Sequence, residues 1–339
     1  MKSCIEGGAA ALLSCLQRGL PLVRRPFADI AEALGIGEDE VISFLARLRE
    51  EGKVRRFGGV FDSRRMGCRS ALVAATVDRP SLDRAASLLT PLSGVTHCYL
   101  REPVETSRST IPNLWFTLSY PADVFPAMVD AVTSRLAEWR VDVLPAVRRF
   151  KVDVIFSEQT REEEERTEFS DDRACLTQAQ GPWRPTAAER RIGQALQGDT
   201  EICADYWANL ARNADVREWE LLSVLEMWKR AGRLKRVGLV LAHREAGWGV
   251  NGTCCWRVDG GSDAVVASGR ALASLPEVTH CYERPPTDVF DYNLFAMIHA
   301  HGLEEARSMF SAVAAYAGLG GGVMLVSTRQ FKKTSMRFF

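Results

Sequence analysis

Apolar residues recur at helical spacing three times in the first part of the chain, and a strand-like run follows. Residues 7–18 form the first apolar stripe, the second ends at Gly35, and the third ends before Gly52. A glycine just past a helix end takes up the left-handed conformation that terminates the helix. Together with the strand-like KVRRFGGVFD, this order predicts a winged helix-turn-helix over residues 1–62.

The next segment, residues 63–156, changes to mostly alternating apolar and polar positions. Two amphipathic runs, LDRAASLLTPL and PADVFPAMVDAVTSRLAEW, separate its strand-like runs. The proline just inside the start of the second run suits the first turn of a helix. The resulting order of strand, helix, strand, strand, helix, strand is that of a ferredoxin-like domain.

The rest of the chain repeats this order after an interruption. Residues 157–185 carry an acidic run and then Gln, Gly and Pro, a composition that predicts a solvated linker. Helical spacing returns over residues 186–242, and alternating strands and helices return over residues 243–339. The predicted fold class is therefore α+β, a tandem duplication of a winged helix-turn-helix plus a ferredoxin-like βαββαβ domain.

Short sequence motifs that recur in both halves of the chain support the duplication. VTHCYLREP at 95–103 and VTHCYERPP at 278–286 are identical at seven of nine positions. The offset is 293 − 113 = 180 for the asparagines that open NLWFTLSY and NLFAMIHA, and 280 − 97 = 183 for the histidines. A period of this length indicates a duplicated domain rather than a solenoid of short repeats.

Composition narrows the classes of function. Forty-three basic residues balance forty-three acidic ones, so net charge does not favour nucleic acid or a membrane surface as a partner. Nine scattered cysteines without a Cys-x-x-Cys spacing indicate reduced thiols and a cytoplasmic protein. The apolar patch Ala9–Leu13 is too short for a membrane span.

The repeated strand carries the candidate chemistry. Alternate positions of a strand point to one face, which predicts an imidazole, a phenol and a guanidinium side by side in each repeat. These residues are His97, Tyr99 and Arg101 in the first repeat and His280, Tyr282 and Arg284 in the second. Such groups suit a carboxylate-rich ligand. For one copy alone, a plain strand with a hydrogen-bonded core histidine would be the better interpretation.

Arginines cluster in and just after the strand that follows each third helix: Arg56, Arg64, Arg65, Arg236 and Arg244. They fit either a solvated strand edge or bidentate clamps on the carboxylates of a polycarboxylic macrocycle. His243 has Ser63 at the equivalent position, 243 − 63 = 180 residues earlier. This asymmetry predicts that the complete or stronger reaction centre lies around the second repeat, while the first repeat contributes substrate binding or a variant site.

The third helix of each repeat argues against DNA reading. In the first repeat it carries Glu38, Asp39, Glu40, Glu50 and Glu51 against Arg47 and Arg49. In the second repeat, residues 215–233 contain four acids and four bases. An acidic first turn would repel the phosphates that a DNA reader must contact, so nucleic acid is not an expected partner.

A winged helix joined to a βαββαβ domain resembles the Lrp/AsnC family of regulators over nearly the whole of each repeat. Several short sequence motifs, however, resemble those of siroheme decarboxylase. PLVRRPF from Pro21, FDSRRMG from Phe61 and NLWFTL from Asn113 look like one of its subunit types. LAHREAG from Leu241, THCYERP from Thr279 and YNLFAMIH from Tyr292 look like the other. The chain therefore resembles a fusion of the two subunit types.

The resemblance implies removal of carbon dioxide from acetate side chains of siroheme to give 12,18-didecarboxysiroheme, in alternative haem or haem d1 biosynthesis. It implies no organic cofactor, because the iron belongs to the substrate, and it leaves open a homo-oligomer formed through the ferredoxin-like domains. On this hypothesis His280 or His243 supplies a proton or ligates the substrate iron. Tyr282 and Arg284 would orient the reacting arm, and the first repeat's triad and the five arginines would bind the substrate.

Two alternatives remain open at this point. One is a ligand-responsive transcription regulator or haem-binding sensor built on the same fold. The other is a tetrapyrrole carrier without activity, because the doubled histidine, tyrosine and arginine face would serve a carrier and an enzyme equally well.

Overall fold

The computed structural model describes residues 2–105, 111–152, 183–241 and 249–339. The helices of the first repeat are α1 Lys2–Arg18, α2 Pro26–Leu34, α3 Glu38–Glu50, α4 Leu82–Leu89 and α5 Phe125–Arg135, with a 3-10 turn at Arg79–Ser81. Its strands are β1 Val54–Phe61, β2 Cys68–Thr76, β3 Val95–Pro103, β4 Leu114–Pro121, β5 Arg140–Pro145 and β6 Arg148–Val152.

The second repeat follows the same order. Its helices are α6 Ala187–Gln197, α7 Tyr206–Asn213, α8 Glu218–Arg230, α9 Gly261–Ala273 and α10 Leu303–Tyr316. Its strands are β7 Leu234–Leu241, β8 Val250–Trp256, β9 Val278–Glu283, β10 Leu294–Ala300 and β11 Val323–Lys333. The predicted tandem α+β architecture is confirmed.

The ends of α2 and α3 form where the sequence predicts them, whereas α1 begins at Lys2, before the predicted start at residue 7. Helix α2 begins at Pro26 and ends against Gly35, which has a φ of 66°, a conformation that costs glycine little. Helix α6 begins with a capping box in which Thr186 and Glu189 bond each other's backbone N–H groups. This arrangement satisfies two of the amide donors that a helix start leaves open.

Each predicted wing is a single strand that pairs with its counterpart in the other repeat. Strands β1 and β7 run antiparallel with Gly58 opposite Gly238, its equivalent at an offset of 238 − 58 = 180. The chain after α1 crosses to the other repeat, where Leu20 N–H donates to Val237 O at 2.7 Å. The two helix-turn-helix segments are therefore interlocked around a pseudo-twofold axis.

Glycine permits this crossing. A Cβ on Gly58 would lie 2.6 Å from the Leu196 carbonyl oxygen, and one on Gly238 would lie 2.5 Å from the Leu16 carbonyl oxygen. Both distances are shorter than a real Cβ contact. The ends of α6 and α1 can approach these strands closely only because neither position has a side chain.

The helix-turn-helix segments share one apolar core. Phe27 and Phe57 from the first repeat pack with Tyr206 from the second, with ring centroids 5.6–6.1 Å apart. The predicted linker at 157–185 lies outside the described residues except for its last three. Of these, Trp183 is half-buried and packs edge-on against Trp228 at 5.8 Å, whereas Arg184 is exposed.

The ferredoxin-like repeats form one antiparallel sheet with the strand order β5-β2-β4-β3-β11-β8-β10-β9-β6. The predicted last strand of the first repeat divides into β5 and β6, and β6 pairs with β9 of the second repeat. Strand β11 pairs with β8 over Val323–Val326 and with β3 over Leu325–Lys333. Each repeat's last strand therefore extends the edge strand of the other repeat.

The two faces of this sheet have different neighbours. On one face α4, α5, α9 and α10 cover separate apolar cores in the two repeats. The opposite face buries a cluster shared by both repeats, which includes Trp115, Cys255, Phe290 and Phe295. Within the described ranges, the chain has no helix with the length and apolar character needed to cross a membrane.

Candidate active site

The repeated strand places its two sets of side chains on opposite faces. Cys98 of β3 and Cys281 of β9 are buried in the cores beneath the helices. The residues that alternate with these cysteines lie on the opposite face of the sheet, the shared face, which buries the cluster common to both repeats. The rings of His97 and Tyr99 are 6.1 Å apart, and those of His280 and Tyr282 are 6.3 Å apart.

The arginine of each triad lies against its tyrosine. The guanidinium of Arg101 is 5.8 Å from the Tyr99 ring centroid, and that of Arg284 is 4.9 Å from the Tyr282 ring centroid. Arg284 also donates to the Leu144 carbonyl oxygen at 2.5 Å, a contact between the two repeats. The structure thus brings the three members of each triad side by side.

Both arginines lie away from the described carboxylates, Arg101 buried and Arg284 half-buried. Arg101 is 6% exposed and lies between Tyr99 and Trp115, and no described carboxylate lies within ion-pair distance of either guanidinium. Burial lowers the pKa of Arg101 and lowers that of Arg284 to about 10. A buried cation is costly unless an anion compensates it, so a ligand carboxylate would stabilise this arrangement.

The two histidines have matching surroundings. His97 Nδ1 lies 3.0 Å from Thr96 Oγ1, and His280 Nδ1 lies 3.1 Å from Thr279 Oγ1. Burial lowers the pKa of His97 to about 4, assisted by nearby cations. Burial likewise lowers the pKa of His280 to about 4, assisted by His299 and Lys235. Both imidazoles are therefore neutral at pH 7 in the ligand-free protein.

We expect these histidines to make stability depend on pH. In the unfolded chain their pKa is about 6.5, so unfolding takes up protons as the pH falls below that value. Their contribution is complete above about pH 6.5 and is lost as the pH falls towards about 4. The urea unfolding free energy should therefore fall less between about pH 7.5 and about pH 5.5 in a His97→Gln, His280→Gln double variant than in the wild type.

The exposed His301 supplies the control for this measurement. A His301→Gln variant should keep the pH dependence of the wild type, since this residue is outside the buried face. Equal pH dependence in the double variant and the wild type would contradict the assignment of neutral, buried imidazoles.

The wing strands present different basic residues from those predicted. Arg236 donates to the Gln17 carbonyl oxygen, and Arg56 lies among Asp199 and Tyr206, so both side chains face the helix-turn-helix core. The structure does not bring them to the histidines. Because successive strand residues point to opposite faces, their neighbours occupy that side instead.

Those neighbours, Arg55 and Lys235, are not among the residues that the sequence pattern predicts for the site. Arg55 is close enough to His97 to lower its pKa and donates to Ser335 Oγ at 3.2 Å. Lys235 acts in the same way on His280. The sequence shows which residues of a strand share a face, because they alternate. It does not show which of the two faces lies towards the histidines.

A further basic group surrounds Tyr282, and it comes from the first repeat. Arg149 of β6 is the register partner of Tyr282, and Arg149 and Arg64 both oppose the rise that burial causes in the pKa of Tyr282. Arg65, by contrast, is exposed and lies beside Gly232. The face around His280 is therefore built by both repeats. No sequence motif indicates this contribution from the first repeat.

The two histidine faces are not identical. His299 of β10 lies near His280, whereas its equivalent at 299 − 180 = 119 is a serine. On the other face, Lys333 of β11 is the register partner of His97. The predicted site residues His243 and Arg244 lie outside the described residues.

The chemistry of this surface is that of a polyanion site. Basic side chains, the buried Arg101 and the half-buried Arg284 surround paired imidazole and phenol groups. Imidazole can hold a proton or ligate iron. Among the residues the structure describes, no cluster of histidine, cysteine and carboxylate side chains has the arrangement of a metal site. An iron-bearing polycarboxylate would suit the surface as a ligand.

Comparison with protein families matches both kinds of domain. Residues 65–151 and 245–332 match the AsnC-like ligand binding domain. Residues 10–55 match the siroheme decarboxylase NirDL-like HTH domain.

Curated relatives align along nearly the whole chain. A siroheme decarboxylase of Hydrogenobacter thermophilus is 34% identical over 332 residues, which cover 97% of this chain and 94% of the relative. The siroheme decarboxylase NirDL subunit of Paracoccus denitrificans is 34% identical over 327 residues, with 95% and 94% covered.

Solved structures agree with this similarity. A crystal structure of the siroheme decarboxylase NirDL superimposes with a TM-score of 0.71 at 30% identity, covering 98% of this chain and 94% of that one. The same protein in co-complex with an iron-uroporphyrin III analogue gives a TM-score of 0.70 at 29% identity, covering 97% and 94%.

Proposed function

This chain belongs to the siroheme decarboxylase family, and we propose that it removes carbon dioxide from acetate side chains of siroheme to give 12,18-didecarboxysiroheme. It is thus a carboxy-lyase that acts in alternative haem or haem d1 biosynthesis. The similarity covers both repeats of the chain, which supports an assignment to the fused protein as a whole. The solved relative in complex with an iron-uroporphyrin analogue supports a tetrapyrrole as the ligand.

The observation that carries this proposal is the pair of arginines on the shared face, one buried and one half-buried. Arg101 and Arg284 lie beside the histidine and tyrosine of each triad, away from any described carboxylate. Guanidinium groups bind carboxylates through paired hydrogen bonds. Siroheme presents carboxylates around its whole edge, so several cations can hold the macrocycle while one acetate arm reacts.

The reaction breaks one carbon–carbon bond in each acetate arm. Carbon dioxide leaves, the bonding electron pair stays on the tetrapyrrole, and one proton is taken up, so that the arm becomes a methyl group. Protonation of the pyrrole beside the arm provides the electron sink that the departing carboxylate needs. A buried pocket favours neutral carbon dioxide over the charged carboxylate.

We assign the proton to His280, with Tyr282 and Arg284 orienting the reacting arm. The ligand-free pKa of His280 is about 4, but a carboxylate bound beside an imidazole raises its pKa. Substrate binding therefore charges the donor at the site of use. His243 remains the second candidate, and either imidazole in its neutral form could ligate the substrate iron.

A transcription regulator is the less favoured function. The first turn of α3 presents Glu38, Asp39 and Glu40, and that of α8 presents Glu218 and Glu220. These carboxylates stabilise the helix starts at the positions where a DNA reader would contact phosphate.

Three further features complete the proposal. No organic cofactor takes part, because the iron and the macrocycle belong to the substrate. We propose the cytoplasm as the compartment, because the structure describes seven cysteines as free thiols and a reducing compartment keeps thiols free. A homo-oligomer would have to use surfaces other than the edges already joined by β3 with β11 and by β6 with β9.

Anaerobic incubation with siroheme tests the function directly. Mass spectrometry should show the loss of one and then two units of carbon dioxide, and the ratio of the two products over time reports whether the arms react in sequence. Heat-denatured protein is the control. Siroheme of unchanged mass with a shifted absorption spectrum would identify a carrier. No change in either the mass or the absorption spectrum would favour the transcription regulator.

A further inference from the structure

One carboxylate from the first repeat lies at the centre of the basic groups beside Tyr282. Asp62 Oδ2 is 3.8 Å from Arg149 Nη1 and 3.8 Å from Lys235 Nζ, and Asp62 Oδ1 is 3.9 Å from Arg64 Nε. The Asp62 side chain is only 12% exposed. One carboxylate thus contacts three cations that come from different elements: the turn after β1, strand β6 and strand β7.

The backbone holds Asp62 in place. Its Oδ1 accepts hydrogen bonds from the N–H groups of Arg64 at 3.0 Å and Arg65 at 3.2 Å, and its own N–H donates to the Arg233 carbonyl oxygen. Burial alone would raise the pKa of Asp62, but Lys235, the Arg65 N–H, Arg64 and Arg149 keep it below its usual value. The carboxylate is therefore charged at neutral pH.

This arrangement has no counterpart in the sequence of the other repeat. The position equivalent to Asp62, at 62 + 180 = 242, is an alanine. The two histidine faces therefore differ in the carboxylate available to gather their cations.

We propose that Asp62 is a positioning residue for the reaction centre around His280, holding Arg64, Arg149 and Lys235 where they bind carboxylates of the substrate. This inference rests on the proposed function. Three like charges in a small space repel one another, and each long side chain has many rotamers to lose. A single fixed carboxylate reduces both penalties and still leaves an excess of positive charge for a polycarboxylate ligand.

Replacing Asp62 with asparagine tests the positioning role, because the amide oxygen can still accept the two backbone hydrogen bonds. The site becomes more positive, so siroheme should bind as tightly as in the wild type or somewhat more tightly. The reacting arm is held less well, so kcat should fall about tenfold. A fall in kcat without a rise in KM is the expected split, and an Asp62→Glu variant should recover much of the lost kcat.

A matched control is Asp83→Asn, which removes the exposed partner of Arg329 at 2.6 Å and should leave kcat and KM unchanged. An Asp62→Asn variant with wild-type kcat overturns the proposal. So does one in which only the unfolding temperature falls, because that outcome would make Asp62 purely structural.

A second readout separates this inference from the proposed function. The circular dichroism of siroheme bound to the full chain reports the orientation of the macrocycle without any turnover. Asp62→Asn should change the shape of this spectrum at saturating siroheme, whereas Asp83→Asn should not. If the wild type binds siroheme but does not decarboxylate it, the proposed function fails, and an unchanged spectrum in Asp62→Asn then overturns the positioning role as well.

Discussion

Replacing His280 with alanine is expected to slow siroheme decarboxylation by about 100-fold or more, the usual contribution of a general acid. His280 lies on the face that Arg64, Arg149 and Lys235 surround, with Tyr282 and Arg284 beside it. On the proposed assignment, removing the imidazole takes away the proton that the pyrrole needs, but it leaves the cations that would bind the carboxylates. The dissociation constant of siroheme, measured by anaerobic absorbance titration, should therefore change much less than kcat.

The equivalent His97→Ala variant is the matched control. It removes an imidazole with the same tyrosine and threonine neighbours, but from the face where Ser119 replaces a second histidine. We expect a clearly smaller loss of turnover. Wild-type turnover in His280→Ala would exclude this residue from the chemistry, and equal losses in the two variants would show that both faces work.

Replacing Arg101 with methionine is expected to stabilise the ligand-free protein while weakening siroheme binding. The buried guanidinium has no described carboxylate partner, and its contacts are the rings of Tyr99 and Trp115. Replacing a buried ion pair with apolar side chains of similar volume is often neutral or stabilises a protein by about 1–4 kcal/mol. Among the described residues, the Arg101 guanidinium lacks even the compensating charge of such a pair. The same change removes a charge-assisted hydrogen bond to the ligand, worth about 1.5–3 kcal/mol, which is about tenfold or more in affinity.

Two measurements on the same samples check this prediction. The unfolding temperature of the ligand-free protein should rise, and the dissociation constant of siroheme should increase. Arg79→Met, which changes an exposed arginine paired with Glu102, should alter neither. A destabilised Arg101→Met protein with unchanged affinity would assign Arg101 to the core and remove it from the site.

The repeats and the histidine, tyrosine and arginine triads can be recognised from the sequence. Periodicity is local, so helical spacing and strand alternation are visible without knowing how the elements pack. The word VTHCY occurs twice with the same parity, and this spacing alone places His97 with Tyr99 and His280 with Tyr282. The resemblance of several separate words then indicates the reaction.

The sequence does not determine which side of each wing strand faces the histidines. Alternation divides the residues of β1 into two sets, but it does not say which set faces the histidines, because both sets contain an arginine. The sequence favours Arg56 and Arg236, whereas the structure turns their neighbours Arg55 and Lys235 towards the site. The deciding contact is the packing of α1 and α6 across the wings, at Gly58 and Gly238.

The sequence by itself therefore determined the duplication, the fold class and the histidine, tyrosine and arginine triads, because each depends on spacing along one segment. Only the tertiary structure decided that Asp62, Arg64 and Arg149 of the first repeat lie beside Tyr282 of the second. That arrangement follows from the pairing of β6 with β9 and from the interlocked wings. Contacts between residues so far apart in the chain depend on how whole elements pack, and no local pattern records them.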